Sequence, residues 1–197
     1  MGKKKFSAYM KILFLTLLFM CLGQCVSAPT KGFSLRRMMI TDATKLAERI
    51  HHETEFNRFV NDLGRRESGN NWMSINLIGC FGEWQFAEST VHYLGYKHVT
   101  LKKFKKDPEV FPPELQRKVL ESLIKVNLVL LKDYERFIGE TIHGVAVTKS
   151  GMIAAAHLGG ATSVKRFLTS DGRLDKKDVL GTSVSNYMKK FSFYDID

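Results

Sequence analysis

The chain has 197 residues, a formal net charge of +10 and 44% apolar side chains. That length and apolar share fit one domain with enough residues to bury a core, and no internal repeat or low-complexity tract points to a solenoid or a disordered tail. The basic excess suits an anionic polymer; no nucleic-acid-binding motif accompanies it, which speaks against DNA or RNA as partner.

Residues 1–28 read as a targeting signal, to be kept apart from the fold. Lys3, Lys4, Lys5 and Lys11 form a basic stretch, Ile12 to Leu22 an apolar core, and Val26-Ser27-Ala28 a small-residue site. The apolar run is too short, and too soon interrupted by Gly23-Gln24, for a membrane span. Leu22-Gly23-Gln24-Cys25 has the outline of a bacterial lipoprotein box, so membrane attachment through a lipidated Cys25 stands beside simple export and an uncleaved anchor. All three readings put the domain outside the cytoplasm, in the periplasm or cell envelope, or secreted. Without those four lysines, 26 of the 30 basic residues remain against 20 acidic ones, about +6. Cys80 is then left without a disulfide partner and is expected as a small buried apolar residue.

Residues 29–52 read as a linker and an N-terminal helix capped at Thr41-Asp42, either continuing toward Phe56 or breaking near His51-His52, with His51 and His52 as surface histidines. The domain proper is expected over 53–197. Phe56, Phe59, Val60 and Leu63 fall at the i, i+3, i+4, i+7 spacing of a buried helix face, and Glu67 is the next step along it. A carboxylate set against apolar side chains loses hydration and keeps its proton to higher pH, as a general acid near neutrality requires. Gly69 ends the helix.

From Trp72 to Phe86 the pattern predicts a small hairpin or irregular β lobe beside that helix, with Gly79 and Gly82 at turns. Trp84 and Phe86 offer aromatic faces, and Gln85 an amide. A short helix is expected over Ala87 to Leu94, then a loop from Lys97 to Pro113, where Pro108, Pro112 and Pro113 forbid a continuous helix. The lysines of Leu101 to Lys106 (LKKFKK) read as a solvated loop or helix face. Glu114 to Ile138 carries apolar residues on nearly every side, predicting a central buried helix in which Asn127 is a hydrogen-bonded core amide. Helices follow over Thr148 to Leu158 and Ala161 to Leu168, separated by Gly159-Gly160. A last one, capped by Thr182 or Ser183, bears Val184, Tyr187, Met188 and Phe191.

Four segments in this order resemble the lysozyme-like lytic transglycosylases, in particular their phage-like and secreted branch. Glu67-Ser68-Gly69-Asn70 is similar to the family's catalytic Glu-Ser-Gly signature, and Gly79 to Phe86 (GCFGEWQF) to its second motif. Ala154 to Gly160 (AAAHLGG) resembles the third, and Thr182 to Phe191 (TSVSNYMKKF) the fourth, which ends in a tyrosine. The resemblance implies a mainly α (α+β), lysozyme-like fold with the β lobe beside the catalytic helix. It also implies cleavage of peptidoglycan between N-acetylmuramic acid and N-acetylglucosamine by a monomer without metal or cofactor. Glu67 would act as acid and then base, leaving 1,6-anhydromuramoyl ends. Ser68 would bond the carboxylate or a sugar acetamide, Gln85, Trp84 and His157 would contact the glycan, and the Tyr187 hydroxyl would sit near Glu67. The third motif departs from the family's alanine-tyrosine-asparagine: His157 and Leu158 stand where the tyrosine and asparagine would be, which leaves the asparagine's substrate contact open. A hydrolytic muramidase using Glu83 or Glu88 as second acid, and a non-cleaving peptidoglycan-binding protein, are the alternatives.

Overall fold

A computed structural model describes residues 31–179 and 181–196, with side chains from residue 38. The expected signal at 1–28, with Cys21 and Cys25, lies outside the described residues. Two compact units divide the chain, Met1–Ala47 and Glu48–Asp197. In the first, residues 38–47 are helical and exposed. The second holds the core and is mainly helical.

The first helix, α1, is longer than expected. It runs over Lys31–Ser68 and passes through both Thr41-Asp42 and His51-His52. No proline interrupts this stretch, and the hydroxyls of Thr44 and Thr54 donate back to the carbonyls of Ile40 and Ile50 instead of capping. Phe59, Val60 and Leu63 are buried on its inner face, as the spacing requires. Arg65 and Arg66 in the last turn complement the negative end of the helix dipole. Gly69 and Asn70 then take left-handed conformations, φ 69° and 62°, and the Asn70 N–H donates to the Gly64 carbonyl at 3.2 Å. Glycine and asparagine tolerate that region best, so the helix stops here.

The segment 72–86 makes isolated bridges rather than strands: Ile75 pairs with Phe81 and Phe81 with Phe86. Its regularity comes from side chains closing turns, with Asn76 Oδ1 accepting from the N–H groups of Ile78 and Cys80 at 3.1 and 2.9 Å. The two-stranded sheet lies elsewhere: β1 (Thr141–Ile142) pairs antiparallel with β2 (Val145–Ala146). His143 and Gly144, both at positive φ, make the two-residue turn between them.

After the lobe come α2 (Glu88–Tyr93) and α3 (Leu101–Lys106). The lysine-rich segment is thus helical, started by Thr100, whose hydroxyl accepts from the Lys103 N–H, and stopped short of Pro108. Helix α4 spans Pro113–Leu131 and continues as a 3-10 turn over Lys132–Phe137. It is not buried all round. Gln116, Leu120, Ile124, Asn127 and Leu131 face inward, while Val129 is 75% exposed and Leu130 is exposed too. Asn127 is buried, and its Nδ2 finds no acceptor.

Helices α5 (Lys149–Gly159), α6 (Ala161–Thr169) and α7 (Val184–Lys190) form the rest of the core. Thr148 and Ser183 cap α5 and α7 through their hydroxyls. Gly151 lets α5 and α7 touch: a Cβ there would lie 2.7 Å from the Met188 carbonyl oxygen. The chain then returns across α1, where Tyr194 donates to Asp62 at 2.7 Å and Asp195 stands 3.4 Å from both His51 and His52. Those histidines are partly exposed, and among the described residues no group of three or more His, Cys, Asp or Glu could hold a metal ion. Nor is any described helix long and apolar enough to cross a membrane.

Candidate active site

Glu67 sits in the last turn of α1, half-buried. The Tyr187 hydroxyl, 120 positions later on α7, donates to its Oε1 at 2.5 Å. Tyr187 is 3% exposed, its ring 5.5 Å from Phe191, with the Arg66 guanidinium 5.9 Å from its centroid. Burial first, and then the neighbouring Glu67 carboxylate, push the phenol far above its ordinary value. Tyr187 therefore stays protonated and can only donate to the carboxylate. Among the described residues no hydrogen bond engages Glu67 Oε2.

Ser68, next along the helix, faces the lobe. Its hydroxyl donates to the Glu83 carbonyl at 2.7 Å and accepts from the Asn71 N–H at 2.9 Å. The hydroxyl is thus engaged by main-chain atoms, one in the turn that follows the helix and one in the lobe, rather than by the Glu67 carboxylate. Gln85 is likewise turned onto its own loop. It holds φ 50°, and its Nε2 donates to the carbonyls of Gly82 and Ser74 at 2.7 and 3.3 Å. A left-handed conformation is uncommon for a residue with a side chain, and these bonds over-determine it. Its Oε1 is buried without a donor.

Trp84 takes the core, not a sugar-facing position. It is 3% exposed, and its indole donates to the Val60 carbonyl at 3.0 Å. Phe86 is buried beside it, 5.9 Å from Phe111. His157, in the last turn of α5, lies 6.0 Å from Phe86, edge to face, and its Nε2 is 2.8 Å from the Trp84 carbonyl. A carbonyl can only accept, so Nε2 carries the hydrogen, and in the neutral ring Nδ1 is the acceptor. Nδ1 is buried and without a partner. Leu158 packs partly buried against the core.

Of the two rival acids, Glu88 is occupied: its Oε2 accepts from the Leu101 N–H at 2.6 Å and so anchors α3. Glu83 is partly buried against α1, such that a Cβ on Gly64 would lie 2.7 Å from its Oε1. Burial, opposed by Arg117, holds its carboxyl above the ordinary value.

Gln116 was not legible as part of this centre. Fully buried, its Oε1 accepts from the Glu83 N–H at 2.7 Å, and its Nε2 donates to the carbonyls of Trp72 and Phe111 at 2.9 and 2.7 Å. One side chain thus ties both ends of the lobe to α4. The available signal was a glutamine in register with Leu120 and Ile124, on the buried side of an apolar helix. Arg66 completes the centre from above the Tyr187 ring. No family model, curated protein or solved structure matches the chain.

Proposed function

We propose that the chain is a peptidoglycan lytic transglycosylase of lysozyme-like fold, with Glu67 as its single catalytic acid and base. The observation that carries the reading is the bond between Glu67 and Tyr187, two residues from the first and last of the four motifs, joined across 120 positions. A buried phenol that cannot ionise and a half-buried carboxylate with one oxygen unengaged form a unit suited to passing a proton out and taking one back.

In this scheme Glu67 gives its proton to the glycosidic oxygen as the bond from that oxygen to the muramoyl C1 breaks. The muramoyl C6 oxygen forms the new bond to C1, and its proton passes to Glu67, restoring the acid. The product is a 1,6-anhydromuramoyl end, and no water is consumed. Tyr187 fixes the carboxylate at Oε1 and leaves Oε2 for the transfer. Gln116, Ser68 and His157 hold the lobe against α4, α1 and α5 and so shape the wall the substrate would lie against. Gln85 Oε1 and His157 Nδ1, two buried acceptors without donors, are the groups a sugar hydroxyl or acetamide N–H would satisfy.

Export to the cell envelope belongs to the same proposal, since the substrate lies there. A hydrolytic muramidase is the second reading. It is favoured by Glu83, a carboxyl held in its protonated form to higher pH than usual and packed one turn before Glu67.

Purified sacculi digested with the protein and with its Glu67→Gln variant, read by mass spectrometry, test both. Anhydromuramoyl products that vanish in the variant support the transglycosylase. Reducing ends, one water heavier, transfer the assignment to hydrolysis with Glu83. Sacculus binding without soluble product refutes catalysis altogether.

A further inference from the structure

Away from Glu67, the tip of the lobe shows a surface of another kind. Leu77 is 101% exposed and Ile78 62%, and Met73 and Ile75 are exposed as well. Four of the six residues from 73 to 78 therefore present large apolar side chains to solvent, at a cost that no partner within the described residues offsets. The loop is nonetheless well built. The Asn76 side chain accepts from the N–H groups on either side of Gly79, and the Asn76 N–H donates to the Cys80 carbonyl at 2.9 Å, so Leu77 is held at the apex of a closed turn.

Helix α3 flanks that apex. A Cβ on Gly79 would lie 3.2 Å from Leu101 Cδ2, which puts the loop directly against the start of the helix. Phe104, 5.0 Å from Phe81, roots α3 in the core. Phe81 in turn pairs with Ile75. With Phe104 inward, Lys102, Lys103, Lys105 and Lys106 are all exposed. An apolar point and a cationic shoulder are thus fixed to one another by two contacts.

We infer that this face docks on an anionic lipid bilayer, Leu77 and Ile78 entering the acyl boundary while the α3 lysines lie at the level of the phosphates. The layering of the two chemistries matches that of the bilayer, apolar beneath charged. A second copy of the chain is a poor occupant, because it would bring the same four lysines to the contact. This docking is independent of the glycan chemistry above, and sacculus digestion reads the two apart.

Flotation of the full chain with phosphatidylcholine vesicles, with and without phosphatidylglycerol, tests it. Binding is expected with the anionic vesicles and is expected to weaken by at least about tenfold in Leu77→Asp/Ile78→Asp and in Lys102→Glu/Lys106→Glu. These positions are exposed, so thermal unfolding and sacculus digestion should be unchanged. Leu77→Trp in vesicles with brominated chains adds a local reading: the introduced indole should be quenched beyond the parent's Trp72 and Trp84. Variants that bind as the parent does, or absence of added quenching, overturn the proposal, since another part of the chain would then hold the membrane. Loss of self-association or of a protein partner in the Asp variants, with vesicle binding intact, overturns it too.

Discussion

Tyr187→Phe removes one oxygen from the molecule and isolates what the phenol does for Glu67. The ring stays 5.5 Å from Phe191 and beneath Arg66, so packing is conserved and only the 2.5 Å bond to Oε1 is lost. A hydrogen bond to a charged group contributes about 1.5–3 kcal/mol. Glu67 is only half-buried, so water replaces part of that contribution and the lower end applies. At about 1.4 kcal/mol per tenfold in rate, turnover on sacculi should fall roughly tenfold. Sacculus affinity should hold, because the phenol is buried. The assay is release of soluble muropeptides at saturating and limiting substrate, with urea unfolding as control. The same substitution in a Glu67→Gln background should cost almost nothing more. Parent-level turnover in Tyr187→Phe, or a loss carried entirely by weaker binding, refutes the catalytic pairing.

The other expectations concern what holds the centre in place. Gly151→Ala should destabilise by about 1–3 kcal/mol in urea unfolding, because its methyl meets the Met188 backbone carbonyl, which no side-chain rotation can clear. Trp84→Phe keeps most of the apolar volume but loses the indole's bond to the Val60 carbonyl, which retains its partner within the helix; the cost should be about 0.5–1.5 kcal/mol, read as a lower urea midpoint. Glu83→Gln should raise the melting temperature at pH 7 and leave it unchanged a unit below 4.5, the ordinary glutamate value. The sign follows from a folded-state carboxyl held above its unfolded value, so that its favourable contribution is complete at low pH and is lost as pH rises through the folded value.

Much of the helical frame could be read from the sequence because its signals are local. The inward face of Phe59, Val60 and Leu63, the Gly69 stop, the break at Gly160 and the Ser183 cap each depend on residues within a turn or two of one another. Helix α3 escaped because six residues are too few to establish a period, and the strands at 141–146 because two residues each cannot alternate. The excess burial expected of α4 has a plain origin: Val129 and Leu130 are apolar, yet nothing packs on them. Within the candidate site, the residue types at 67, 84, 85, 157 and 187 were evident but their hydrogen-bond partners were not. Ser68 and Gln85 bond main-chain atoms, whose positions follow from the turn rather than from any residue identity. Gln116 reaches 33 and 44 positions back along the chain, a separation that leaves no trace in local pattern.

The carboxylate and its phenol come from opposite ends of the compact unit, and this sets an order in time. A ribosome releases Glu67 long before it has made Tyr187, and any chain cut short ahead of α7 carries the acid without the donor that fixes it. Nascent and truncated copies are thereby left without a finished centre. On the proposed function, full-length synthesis would then be a condition of activity.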